Sequence, residues 1–359
     1  MYCNLNRDFF DNNILVAYRK IYMCLVMCRK KCYTKLDFGY IAKLYVTAGG
    51  RNGENMTIQE KIKALKALKA EKDAVILAHY YVAPEVQEIA DYIGDLFYLS
   101  KVAAGLDCQV LVFCGVSFMG ESACLLSSEK QVLMPDMEAD CPMAHMVTKE
   151  EVDSFRYKYD DLAVVCYINS TAEIKSWSDI CVTSANAVDI VAKLPNKNIL
   201  FIPDKNLGRY VADQVPDKNV MVVDGYCPIH HRMQAQEIKD LMAEHPEAEV
   251  CVHPECNEAV VDLADYIGST SGIIKYATES PKKEFIIGTE IGVSYKLQSQ
   301  NPNKKFYFTA TKPICQDMKL VTLEKVLEVL ESGSNRASVK ADLVEKAKKP
   351  LEMMLSLAK

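Results

Sequence analysis

Ala90-Asp-Tyr-Ile-Gly94 recurs as Ala264-Asp-Tyr-Ile-Gly268 in a chain of 359 residues. A repeated pentapeptide suggests internal duplication, and its surroundings decide the fold. Twelve residues before each aspartate stands a histidine, His79 and His253, closing the apolar runs 74–78 and 248–252. A middle copy lies between them: Tyr167, twelve residues before Asp179, closes the run 162–166. His79, Tyr167 and His253 are therefore equivalent positions, 88 and 86 residues apart. Two residues on, the equivalents are Tyr81, Asn169 and Glu255; seventeen residues on, they are Leu96, Ser184 and Thr270.

Each copy continues in the same way, with a second apolar run (110–114, 198–202, 284–287) and a third (131–134, 219–223, 305–308). Helical stretches at 150–159, 235–244 and 322–330 alternate with or follow them. Short runs alternating with helices predict βαβ units, parallel sheets and right-handed crossovers. The predicted fold is α/β: three homologous three-layer domains with small parallel sheets around a pseudo-threefold axis. The expected boundaries are 56–147, 148–232 and 233–320, with C-terminal helices in 321–359, the last at about 339–357, packing back on the first repeat. Ligands bind at the carboxyl ends of strands in open α/β sheets, so the 79/167/253 triplet belongs at a site and the symmetry predicts one central cleft. A single histidine after a strand is more often a core residue with a satisfied hydrogen bond; a symmetric set of polar residues is not.

Half the residues are apolar, a quarter are charged and the formal net charge is −6. That is the balance of a soluble globular protein and argues against a nucleic-acid binder, which carries a basic face. Residues 1–55 differ from the rest: they are rich in Lys and Arg and hold Cys3, Cys24, Cys28 and Cys32. Their longest apolar run, 21–28, is too short to span a membrane, and no small-residue cleavage site follows it. This segment is expected to be a dispensable extension or a non-native start. Met56 is a natural beginning, with Thr57 and Glu60 in a capping-box pattern ahead of Ile58, Ile62, Leu65 and Leu68 at helical spacing.

The chain has fourteen cysteines. Most lie within apolar runs and read as small buried hydrophobes in a reducing compartment. Three are set apart by position: Cys141, Cys227 and Cys315 follow the third run of each repeat, 62, 60 and 62 residues after His79, Tyr167 and His253. Structural zinc sites take four ligands, commonly in Cys-x-x-Cys pairs, which are missing here. Three converging thiolates suit an iron–sulfur cluster, and a four-iron cluster with three cysteine ligands leaves one iron open as a Lewis acid. A zinc site completed by water and three unrelated buried thiols are the competing readings.

Leu77-Ala-His-Tyr-Tyr81, Tyr167-Ile-Asn-Ser-Thr171, Thr183-Ser-Ala-Asn-Ala187, Cys227-Pro-Ile-His230, Val252-His-Pro-Glu-Cys256 and Gly288-Thr-Glu-Ile-Gly292 together resemble the quinolinate synthase family of de novo NAD biosynthesis. The resemblance runs from about Met56 to the end and covers all three repeats. It implies condensation of iminoaspartate with dihydroxyacetone phosphate to quinolinate, phosphate and two waters, on one [4Fe-4S] cluster held by Cys141, Cys227 and Cys315. It implies that His79, the Leu96 position, Tyr167, Ile168, Asn169, Ser184, His253, Pro254, Glu255 and Thr270 bind substrate. Tyr81, His253 and Glu255 are the expected acid/base groups, with Glu255 as a base. The chain is expected to be a cytoplasmic monomer or homodimer with a functional link to L-aspartate oxidase and no nucleic-acid or membrane partner.

One position departs from the family pattern. Where the family usually carries serine this chain has Leu96, whose own repeat equivalents, Ser184 and Thr270, bear hydroxyls. Two other readings stay open: a different hydro-lyase using an open-iron cluster, and a non-enzymatic iron–sulfur sensor, which would need no substrate-sized cleft.

Overall fold

The computed structural model describes residues 56–358; the 1–55 segment, with its four cysteines and the expectation placed on it, lies outside the described residues. The fold contains three four-stranded sheets, every ladder parallel. The first is built from β1 (Ala74–His79), β2 (Tyr92–Gly94), β3 (Val110–Cys114) and β4 (Gln131–Leu133). The second holds β5 (Leu162–Tyr167), β6 (Ile180–Val182), β7 (Asn198–Ile202) and β8 (Asn219–Val222). The third holds β9 (Glu249–Val252), β10 (Tyr266–Ile267), β11 (Glu284–Gly288) and β12 (Lys305–Tyr307). The orders are β2-β1-β3-β4, β6-β5-β7-β8 and β10-β9-β11-β12. β3 and β5 are buried along their whole length, which is why they read as continuous apolar runs rather than alternating ones.

The repeated pentapeptide forms a fourth strand in its sheet, beyond the three apolar runs of each repeat. β2, β6 and β10 are two or three residues long, too short to show a period. The aspartate ahead of each has a structural role. The carboxylates of Asp91, Asp179 and Asp265 accept the backbone N–H of Ile76, Val164 and Val250 at 2.8, 2.7 and 2.8 Å. Their own N–H groups return to the carbonyls of the same three residues at 2.9 Å. Each aspartate thus pins its edge strand to the sheet centre.

In every sheet the chain moves from the first strand to one edge, then crosses back to the third strand on the other side. The first and third strands therefore send their following loops apart, making a switch point. His79, Tyr167 and His253 are at or just after the carboxyl end of β1, β5 and β9, at those three points.

The helices obey local rules. Thr148 and Glu151 make a reciprocal capping box ahead of Lys149–Lys158. Thr322 caps Leu323–Ser332, which ends on Gly333 in the left-handed region at φ 66°. That helix lies on Ile58–Glu71 and β3 of the first repeat. The final helix, Ala341–Leu357, was expected on the first repeat; it bridges two, packing on Ala172–Ser176 and β6 of the second and on Ser117–Leu126 of the first. Its buried face of Ala347, Pro350, Leu351 and Met354 is the apolar stripe that needs that cover. Among the described residues no helix is long and apolar enough to cross a membrane.

Candidate active site

The strand ends of all three repeats line one cavity of about 230 Å³. His79, Tyr81 and Leu96 come from the first repeat, Tyr167, Ile168, Asn169 and Ser184 from the second, and His253, Glu255 and Thr270 from the third. Cys141, Cys227 and Cys315 line the same cavity. Pro254 is buried but lies outside the lining. It separates His253 from Glu255 in the chain.

The two histidines are held alike. The Tyr81 N–H donates to His79 Nδ1 at 3.2 Å, and the Glu255 N–H to His253 Nδ1 at 3.3 Å. A ring whose Nδ1 accepts carries its proton on Nε2. Burial pushes both histidines down to about 3, so both are neutral donors at physiological pH. His253 Nε2 meets Ser184 Oγ at 3.2 Å.

Glu255 behaves in the opposite way. Burial pushes its carboxyl up, but His230 beside it, with hydrogen bonds from His230 and the Tyr167 phenol, holds it at about 2. Oε2 lies 2.8 Å from His230 Nδ1 and 3.4 Å from His253 Nδ1. Oε1 is buried and without a partner in the hydrogen-bond network. Burial, reinforced by the charge on Glu255, pushes the phenols of Tyr81 and Tyr167 well above their ordinary value, so both are acids there and not bases.

Three residues at the centre were not singled out from the sequence. His230, 1 % exposed, stacks on His253 with ring centres 4.7 Å apart, and its Nδ1 lies 3.2 Å from Cys227 Sγ. Thr289 Oγ1 bridges Tyr81 Oη at 2.8 Å and His230 Nε2 at 2.9 Å. Glu290 is fully buried. All three stand inside motifs that resemble the family, which was the available signal; Thr289 has Gly115 and Pro203 as its repeat equivalents, so symmetry could not find it.

The Tyr81 loop is fixed from several sides. Buried Gln87 donates to the carbonyls of Tyr80, Val82 and Gly292, and Lys319 donates to the Tyr81 carbonyl. A Cβ on Gly292 would sit 2.8 Å from both the Tyr80 oxygen and the Tyr81 Cα, so this close approach needs glycine.

Hydroxyls pass around the cavity from repeat to repeat. Ser184 of the second reaches His253 of the third, and Thr270 of the third reaches Tyr81 of the first at 2.7 Å. The same rotation would set position 96 of the first repeat toward the Tyr167–Asn169 segment of the second; there the chain offers leucine, 4 % exposed and lining the same cavity.

Cys141, Cys227 and Cys315 are all free, and each immediately precedes a four-residue helical turn. Backbone amides of those turns bear on the sulfurs, yet burial pushes all three thiols up, Cys315 to about 11. Such thiols stay protonated unless a cation takes the proton's place. Among the described residues the group with single-ion spacing is Cys227, His230 and Glu255, whose ligand atoms lie within 4.8 Å of one another. The three cysteines do not form such a group. Thiolates on separate irons stand farther apart than ligands of one ion, so the donor set of three soft sulfurs beside an unpartnered carboxylate oxygen fits a cluster.

Residues 63–356 match the family described as Quinolinate synthetase A protein. The chain belongs to the quinolinate synthase family. The quinolinate synthase of Clostridioides difficile is 51% identical over 294 residues, 82% of this chain and 97% of that protein. That of Fusobacterium nucleatum is 52% identical over 294 residues, covering 82% and 98%. That of Aquifex aeolicus is 46% identical over 306 residues, covering 84% and 95%. The match leaves the first 62 residues uncovered.

Proposed function

We propose that this chain is a quinolinate synthase, condensing iminoaspartate with dihydroxyacetone phosphate to quinolinate, phosphate and two waters. The observation that carries the reading is the meeting, in one cavity of a family member, of an ionised buried glutamate, two neutral histidines and three cysteines. Cys141, Cys227 and Cys315 would hold one [4Fe-4S] cluster. When bound, such a cluster supplies a Lewis acid at its open iron, which helps hydroxide leave in a dehydration.

The chain's own groups supply the rest. The Nε2–H of His79 is a donor for a substrate carboxylate or phosphate, and the Ser184 hydroxyl, held by the Nε2–H of His253, offers a second. Glu255, ionised and with Oε1 free of partners, is the base. Tyr81, kept as a phenol, is the acid. Between them runs a continuous path: Tyr81 Oη, Thr289 Oγ1, His230 and Glu255 Oε2, at 2.8, 2.9 and 2.8 Å. A proton taken at Glu255 can be returned through Tyr81 along it, which suits a reaction that needs tautomerisation and two water losses in one cavity.

The single-ion spacing of Cys227, His230 and Glu255 favours one competing reading, a mononuclear metal enzyme. Anaerobic purification separates the two. A synthase of the proposed kind gives about four irons and four acid-labile sulfides per chain. It also makes quinolinate from dihydroxyacetone phosphate and iminoaspartate generated by an L-aspartate oxidase. One metal without sulfide supports the mononuclear reading. Sulfide with no quinolinate sinks the synthase proposal and leaves a hydro-lyase or sensor.

A further inference from the structure

The three cysteine loops are fastened by one device, repeated three times. In each repeat the residue 38 positions after His79, Tyr167 or His253 donates its backbone N–H to the carbonyl two residues before the cysteine. These bonds are Ser117 to Ala139 at 2.8 Å, Lys205 to Gly225 at 2.8 Å and Ile291 to Pro313 at 2.9 Å. A carboxyl then takes the N–H of the cysteine itself: Asp140 for Cys141 at 2.8 Å, Asp204 for Cys227 at 2.9 Å and Glu290 for Cys315 at 3.0 Å.

Asp204 and Glu290 are fully buried and occupy equivalent places, just after β7 and β11. Each also accepts an amide of the segment that follows it, Leu207 in the first turn of Lys205–Gln214 at 2.7 Å and Gly292 at 2.6 Å. Each therefore ties the loop after the third strand to the cysteine loop after the fourth. In the first repeat the equivalent residue is Val116, which cannot accept. There the polarity is reversed: Asp140 stands on the cysteine loop, and the hydroxyl of Ser117, one residue beyond Val116, donates to it. The same tie is thus made from different residues.

We propose that Asp140 with Ser117, Asp204 and Glu290 are positioning residues that fix Cys141, Cys227 and Cys315 toward one another and so hold the cluster. This rests on the cluster reading above. The cysteines are on loops beyond the edge strands, where no sheet ladder holds them, so without the ties nothing else among the described hydrogen bonds joins the cysteine N–H groups to the rest of the fold. Such supporting partners typically change metal retention by about 10- to 100-fold.

The test uses the full chain, purified and loaded with iron and sulfide without oxygen. An iron chelator is added and the decay of the cluster absorption is timed. Asp204→Asn, Glu290→Gln and Ser117→Ala are expected to lose iron about tenfold faster or more: a carboxamide keeps an acceptor on only one side, whereas each carboxyl now takes one amide on each oxygen, and alanine at 117 removes the hydroxyl that donates to Asp140. Ser117→Thr restores the hydroxyl and is expected to return the rate to that of the parent. Asp179→Asn is the control: it breaks an equally bonded carboxylate in the same sheet, away from the cysteines, and lowers the melting temperature without speeding iron loss. A parent chain that takes up no iron and sulfide overturns the cluster reading itself. A parent that holds the cluster, with variants that lose it no faster than Asp179→Asn does, overturns this inference alone. So does a Ser117→Thr chain that behaves like Ser117→Ala.

Discussion

Leucine at 96 stands where the rotation around the cavity calls for a hydroxyl, so Leu96→Ser should improve catalysis while weakening the fold. Ser184 and Thr270, in the equivalent places, both spend their hydroxyls on the strand-end group of the next repeat. A serine at 96 would face Tyr167 and Asn169, where the cavity is lined by Ile168 and a phenol kept protonated by burial and the charge on Glu255. A hydrogen bond to a charged group contributes about 1.5–3 kcal/mol. At about 1.4 kcal/mol per tenfold, a restored bond to a substrate carboxylate lowers KM or raises kcat/KM by about 10- to 150-fold. The lower end holds if the free amides at the start of Leu96–Gly105 already serve that carboxylate. The stability effect has the opposite sign. Leu96 is 4 % exposed, and truncating a buried leucine costs about 2–5 kcal/mol, less where the site opens on a cavity. The assay is steady-state quinolinate formation by cluster-loaded chains normalised to iron content, with melting temperatures measured in parallel. A serine variant that melts lower but shows unchanged kcat and KM would refute the argument, because position 96 would then be packing alone.

Changing any one of Cys141, Cys227 and Cys315 to Ser should abolish the brown colour and the product together, whereas Cys114→Ala, at the end of a fully buried strand, should cost stability and leave the colour; iron and sulfide analysis decides. Glu255→Gln should lower kcat by about 10²- to 10⁴-fold with the iron content retained, measured as quinolinate released per cluster. Acid should destabilise the metal-free protein from about pH 6.5 downward. His79 and His253 take up protons near 6.5 when unfolded but only near 3 when folded, so the unfolded state binds more protons in between. Stability is complete above about 6.5 and falls on acidification by about 1.4 kcal/mol per pH unit for each ring, and Glu255 adds to the loss below its unfolded value of 4.5. Denaturant titrations from pH 7 to 4 read this slope, and His79→Gln should cut it by about half.

What the sequence showed well was whatever the duplication repeats. Three strands per domain, their parallel order and the polar strand ends at 79, 167 and 253 all follow from spacing, because burial on both faces writes a continuous apolar run and the switch point fixes what comes after it. The fourth strand did not show, since two or three residues have no period; its aspartate marked only the spacing of the repeat in the sequence and is a clasp between β-strands. The final helix was legible as a helix, but not its partner, because an apolar stripe records that a face is covered and not by what. Thr289 and His230 escaped because they break the symmetry: glycine and proline stand at the places equivalent to Thr289.

That last point bears on how a threefold scaffold carries an asymmetric reaction. The sheets, the aspartate clasps and the carboxyl ties to the cysteines are nearly the same in all three repeats, and they determine where backbone goes. The groups that differ are those facing the cavity: histidine, tyrosine and histidine at the first position, tyrosine, asparagine and glutamate at the next, leucine, serine and threonine beyond. A substrate with unlike ends cannot be bound by three like sites. In the proposed reaction, divergence at the strand ends would give the cavity one acid, one base and a direction, while the repeated frame keeps three loops from separate domains within reach of one another. Even the frame tolerates a change of chemistry where the geometry survives, as Asp140 and Ser117 show by making from opposite sides the tie that Asp204 and Glu290 make from one.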